Sequence, residues 1–191
     1  MQILDCRIPN VEIYYSRVPP STPSRPLESA IRNLNLLHSL RYIDCVQREY
    51  PQQPLVGVGA IIIEDRRVLL IKRGKAPLLG EWSIPGGMLE LGETLREGAE
   101  REALEETGLV VRATELLGVF DRIVPDKTKR SLYHYVLIDF LCNRISGNVL
   151  AAGDASDARW FRENEVERLS LAEDTRTVIQ LGFDRFANAW K

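Results

Sequence analysis

One stretch limits this chain more than any other: residues 87–109, GMLELGETLREGAEREALEETGL, with seven glutamates in 23 residues. Thr94 and Glu97 form a T-x-x-E pair, the signature of a capped helix start, and Gly108 is a suitable stop. The pattern therefore predicts a helix from about Thr94 to Thr107. On a helix each residue advances about 100°. With Glu102 as zero, Glu106 falls near +40° and Glu105 near −60°, so three carboxylates share one face. Like charges at three- and four-residue spacing destabilise a bare helix. Either water solvates this face, or a cation with a taste for hard oxygen ligands, Mg²⁺ or Mn²⁺, sits against it. The cluster contains no His or Cys, which argues against zinc. The residue types alone leave both readings open.

The rest of the composition sets bounds. Apolar residues make up 45% of the 191 and charged residues 27%, an ordinary balance for a globular chain with a real core. A net charge of −2 gives no basic footprint for nucleic acid. Cys6, Cys45 and Cys142 are isolated and odd in number, which fits a reducing compartment and no disulfide framework. The N-terminal residues lack the apolar run of a signal peptide, and no stretch approaches the ~20 apolar residues of a membrane span. A cytoplasmic protein without membrane association is expected.

In chain order, residues 3–6 and 11–15 read as short strands, and PPSTPSRP (19–26) as an extended linker. Leu27, Ile31, Leu34, Leu37, Leu40, Ile43 and Val46 recur at helical spacing, predicting a helix over 27–49. Its apolar stripe must be buried, on the main domain, in a homodimer interface or as part of a substrate wall. From residue 55 the pattern changes. VGVGAIII and VLLIKR read as a hairpin over 56–73, and WSIPGG as a short strand and turn. Strands follow at 109–123, 132–145 and 158–161, then helices near 164–169 and 173–190. Hairpins mixed with helices predict a mixed sheet flanked by helices. The expected division is an N-terminal extension, 1–54, and a main domain, 55–191.

The acidic stretch resembles the Nudix box: Gly, five residues, Glu, seven residues, Arg-Glu, an aliphatic, any residue, Glu-Glu, any residue, Gly, an aliphatic. Gly87, Glu93, Arg101, Glu102, Ala103, Glu105, Glu106, Gly108 and Leu109 fill it in register. Ala103 is smaller than the residue usual there. The resemblance covers about residues 55–185. It implies a Nudix-type α/β/α sandwich carrying an N-terminal helical extension. It also implies a Mg²⁺-dependent hydrolase, with Mn²⁺ as a substitute, cleaving a nucleoside diphosphate linked to another group. Glu102, Glu105 and Glu106 would face the metal, with the Gly87 carbonyl as a further ligand, and one glutamate would act as general base. Glu93 would pair with Arg101 and fix loop against helix.

For the substrate the resemblance speaks less. Arg73, at the end of a strand, could hold phosphate; Lys72 and Lys75 read equally as surface. Trp82 could stack on a base or belong to the core. His134 reads as a core or substrate-facing residue, and Asp154 and Asp157 as loop carboxylates. Pro125 lies sixteen residues beyond Leu109, resembling a marker of ADP-ribose-cleaving members. ADP-ribose, giving AMP and ribose 5-phosphate, is thus the leading substrate. A nucleoside triphosphate pyrophosphohydrolase is the next reading. A non-catalytic nucleotide-sensing module is the reading from another class.

Overall fold

A computed structural model describes residues 47–75 and 78–188. The expectations for 1–46 lie outside the described residues. Residues 47–54 carry no helix, so the helical pattern of the leader does not extend through Glu49.

The hairpin consists of β1 (Leu55–Glu64) and β2 (Arg67–Arg73). Its two-residue turn places both Asp65 (φ 49°) and Arg66 (φ 58°) in the left-handed region, the geometry that matches strand twist in the tightest hairpins. Only Ile63↔Val68 and Glu64↔Arg67 pair across it. The arms then diverge, and the WSIPGG segment uses the space. Its first part, β3 (Trp82–Ser83), pairs with β2, and its second, β4 (Gly86–Met88), takes the freed edge of β1.

Helix α1 (Leu95–Thr107) follows, with the capping box formed at Thr94 and Glu97 and with Gly108 closing it at φ 71°. Two long strands come next, β5 (Leu109–Pro125) and β6 (Ser131–Gly147), then β7 (Ala155–Arg162), α2 (Glu163–Val166) and α3 (Glu173–Asn188). The sheet runs β3-β2-β1-β6-β5, with β4 on β1 and β7 on β2. The β1–β6 pair is parallel and the others antiparallel, so the sheet is mixed, as expected.

Strand alternation divides the core in two. Val58, Ala60 and Ile62 pack with Ala99 and Ala103 of α1. Ile61 points the other way, into a cluster with Val178, Ile179 and Phe183 of α3. Helices therefore cover both faces, giving the α/β/α layering. Ala103 is fully buried in the first cluster, which explains its small size: a larger aliphatic would hold α1 further from the sheet. Among the described residues no helix is long and apolar enough to cross a membrane.

Candidate active site

The glycines of β4 bring the carboxylates of α1 to the sheet. Glu106 is 4% exposed, and its Oε2 accepts the Gly86 N–H at 2.9 Å. Glu102 lies against the next residue: a Cβ on Gly87 would sit 2.3 Å from Glu102 Oε1. Only glycine admits that approach.

Arg101 frames the site. Its Nε and Nη2 donate to both oxygens of Glu93, at 3.0 and 2.8 Å. Nη1 donates to Glu102 Oε1 at 2.8 Å, and Nη2 also to the Met88 carbonyl at 3.1 Å. The loop 88–93 is thus pinned to the helix, as the resemblance implied. Glu105 stands apart, with 57% of its side chain exposed and an oxygen 3.5 Å from Arg101 Nη1. Among the described residues, no three His, Cys, Asp or Glu side chains are gathered as a metal-holding group. Glu102 and Glu106 meet at adjacent glycines, and Glu105 does not join them.

Burial raises the Glu102 carboxyl above its usual range despite the hydrogen bond from Arg101. Burial pushes Glu106 up to about 7; the Gly86 N–H and Arg73 oppose this, while the charges of Glu102 and Asp154 add to it. A buried and a half-buried carboxylate are therefore held partly out of water at one site, with Arg101 paired to Glu102. All-oxygen donors in that condition fit a divalent Mg²⁺-type cation, with Glu102 and Glu106 as the inner donors and Glu105 within a turn of both.

Arg73 ends β2, close enough to Glu106 for its charge to act there; its Nε is buried without a hydrogen-bond partner. The ring of Trp82 is engaged edge-on by Phe161 at 4.7 Å and by the Arg159 guanidinium at 5.8 Å, so it is packed against the α3-side core. Pro125 is exposed at the tip of the β5–β6 hairpin, opposite Ser131. The 148–155 loop caps the end of α1, with Leu150 and Ala152 N–H groups donating to the carbonyls of Thr107 and Glu106. This brings Asp154, paired with Lys75, towards Glu106.

Several charged groups in the sheet escaped the sequence reading. Asp139 on β6 is 6% exposed, and burial pushes it up to about 7. Arg122 on β5 grips Asp174, the second residue of α3, with both ends of its fork. The signal for Asp139 was visible: a lone carboxylate in the apolar run VLIDFLC.

Comparison with known proteins agrees with the box. Residues 53–182 match the family model of the NUDIX domain. The ADP-ribose pyrophosphatase of Methanocaldococcus jannaschii is 40% identical over 118 residues, 62% of this chain and 68% of that one. A MutT-like protein of Streptomyces ambofaciens is 34% identical over 127 residues, 64% and 75% of the two chains. A crystal structure of a NUDIX hydrolase from Nitrosomonas europaea superposes with a TM-score of 0.58 at 27% identity, covering 72% of this chain and 74% of that one. Fold and carboxylate site define a hydrolase of the Nudix class. The chain belongs to the Nudix family, and within it resembles the ADP-ribose pyrophosphatase branch.

Proposed function

We propose that the domain over residues 55–191 hydrolyses ADP-ribose to AMP and ribose 5-phosphate with the help of Mg²⁺, and that residues 1–54 form an extension to it. One observation carries the metal-dependent reading: the carboxylates of Glu102, half-buried, and Glu106, buried, are brought to the adjacent glycines Gly87 and Gly86. The name of the Methanocaldococcus jannaschii relative supports the choice of substrate.

Glu102, Glu105, Glu106 and the Gly87 carbonyl would hold the cation. Bound there, it screens the charge of the diphosphate and makes water a better nucleophile. The chain's own groups do the rest. Water adds at one phosphorus while the bridging P–O bond breaks, and the departing phosphate keeps that oxygen. Glu106 is set to accept the proton of the water. Its Oε1 carries no hydrogen bond among the described residues. Arg73 offers its guanidinium to the diphosphate oxygens. Arg101 positions Glu102 rather than touching substrate.

Incubating the purified chain with ADP-ribose and identifying products by mass tests the reading. AMP and ribose 5-phosphate should form with Mg²⁺, stop with EDTA and resume when Mg²⁺ is restored. If nucleoside triphosphates were cleaved and ADP-ribose left intact, the substrate would be wrong. No metal-dependent cleavage of any nucleotide would overturn the whole reading.

A further inference from the structure

Asp139 is a carboxylate that the fold buries and leaves unpaired. It is 6% exposed and accepts no hydrogen bond among the described residues. Arg122, whose charge reaches it, is engaged by the Asp174 carboxylate and the Thr175 hydroxyl. The Asp139 oxygens are nonetheless not sealed: among the described residues, Arg73 Nε is the one enclosed side-chain N or O without a partner. A desolvated acceptor costs stability. One that is kept unpaired and still reachable calls for a donor from outside the fold.

The neighbours of Asp139 form a low strip on the sheet. On the face towards α3, Leu55, Gly57 and Gly59 of β1 pair with Tyr135, Leu137 and Asp139 of β6. These pair in turn with Arg122, Phe120 and Gly118 of β5, and opposed residues share a face. Asp139 thus stands between two glycines and leans over one of them: a Cβ on Gly59 would lie 2.2 Å from Asp139 Oδ1 and 2.6 Å from Ile84 Cδ1. Glycine inside a strand marks such a close approach. Leu137 leans onto Gly57 in the same way, 2.9 Å from its Cβ position. Ile84 is buried, while Leu137, Phe120 and Tyr135 stay partly exposed, so the strip opens on their side.

The same row continues to the carboxylate site. Gly59 pairs on its other edge with Gly86 of β4, whose N–H donates to Glu106 Oε2 at 2.9 Å. From Asp139 to Gly86 is two strand spacings, about 10 Å, a span that one nucleotide covers from phosphate to base. An ionised carboxyl only accepts, so its ligand must present a donor. The apolar Ile84, Leu137 and Phe120 around it favour a flat ring with one polar edge over a sugar with several hydroxyls.

We propose that Asp139 is a specificity residue: it accepts a hydrogen bond from the exocyclic amine of the substrate's nucleobase, seated on the glycine strip between β6 and the carboxylate site. The proposal rests on the diphosphatase reading above and adds which group of the nucleoside is read. It also gives the unpaired carboxyl a use that offsets what its burial costs the fold.

Calorimetry at pH 8 tests this without turnover, with three ligands: AMP, purine riboside 5′-monophosphate, which lacks the amine, and ribose 5-phosphate. The parent should bind AMP at least about tenfold tighter than the analogue, the range of one hydrogen bond to a charged group. Asp139→Leu is close in shape and has no acceptor. It should erase that preference and leave ribose 5-phosphate unmoved. Asp139→Asn keeps a carbonyl acceptor, weaker for being neutral, and should keep only part of the preference; it carries the test if Asp139→Leu fails to fold. A parent that binds the two nucleotides within twofold overturns the assignment, as does a preference that survives Asp139→Leu or stands undiminished in Asp139→Asn. A loss for ribose 5-phosphate with AMP unmoved would put a sugar on the strip and overturn it too. If the parent read the amine through Asp139 yet hydrolysed nothing, the specificity residue would stand and the hydrolase reading would fall. Cleavage of ADP-ribose with no preference for the amine would do the reverse.

Discussion

Arg101 holds Glu93 through two nearly parallel hydrogen bonds, Nε to Oε2 at 3.0 Å and Nη2 to Oε1 at 2.8 Å, with 22% and 15% of the two side chains exposed. The pairing keeps the Glu93 carboxyl below its usual range, first through the hydrogen bond from Arg101. Gly98 makes room for it, since a Cβ there would lie 2.8 Å from Glu93 Oε1. The same guanidinium reaches Glu102, so frame and site share one group.

Arg101→Lys keeps the charge and loses the fork. It should lower kcat/KM by roughly 10- to 100-fold, as removal of an orienting partner does. Combined with Glu93→Gln in a double-mutant cycle of thermal stability, it should show coupling of about 1–3 kcal/mol. Because the folded pKa of Glu93 is depressed, its stabilisation is present above the unfolded value and is lost as pH falls through the folded one. A coupling near zero would mean that the pair does not act as a unit.

Adjacent glycines offer a sharper contrast. A Cβ on Gly87 meets the Glu102 carboxylate at 2.3 Å, whereas one on Gly86 meets the Val58 carbonyl oxygen at 2.5 Å and Gly59 Cα at 3.0 Å. A side chain can swing aside; backbone in a sheet cannot. Gly87→Ala should therefore leave the melting temperature nearly unchanged and cut activity by at least about tenfold through Glu102. Gly86→Ala should cost about 1–3 kcal/mol of stability. Urea unfolding beside a turnover assay separates the two. Equal stability losses would mean that Glu102 is more rigidly fixed than this.

The capping box at Thr94 and the stop at Gly108 are local, and local spacing encodes them, so α1 was legible within one residue. The hairpin over 56–73 was legible for the same reason, but its divergence was not. WSIPGG reads as a short strand and turn, whereas Trp82–Ser83 and Gly86–Met88 are two strands that pair with different partners because the arms of the hairpin separate. The strands at 109–125 and 131–147 came out longer than predicted. Each supports the other through pairing, which no single strand encodes. The Arg101–Glu93 pair was implied by the box. The cluster of Asp139, Arg122 and Asp174 was not, since it joins residues from β6, β5 and α3 that only the fold brings together.

Asp139 makes a stability prediction. It is buried beside Gly59, where a Cβ would lie only 2.2 Å from its Oδ1, and the nearby Asp174 is already bound by Arg122. With a folded pKa of about 7 against about 3.9 unfolded, the folded state binds the proton more tightly. Stability therefore falls as pH rises from about 4 to about 7, by on the order of 4 kcal/mol, and is flat above. Asp139→Asn should remove this slope and raise the melting temperature by several degrees at pH 8. Melting curves from pH 5 to 8 check it; parallel curves for parent and variant would show that the Asp139 carboxyl is not the titrating group.

The glutamates of α1 should divide by the direction they face. Glu100 accepts the Ala113 N–H at 2.9 Å, on the side packed against β5, while Glu106 faces the Gly86–Arg73 side. Glu100→Ala should cost about 1–2 kcal/mol by leaving that N–H unpaired, with turnover of the folded fraction unchanged. Glu106→Gln removes a desolvated charge and so should leave stability equal or higher, while kcat falls by roughly 10²- to 10⁴-fold, the range of a lost general base. Glu105→Gln, at an exposed position, should be neutral for stability and lower turnover by at least about tenfold through the cation site. Circular-dichroism melts paired with initial rates on ADP-ribose decide the matter. A Glu106→Gln enzyme within tenfold of the parent would remove Glu106 from the chemistry and leave it a structural partner of Gly86.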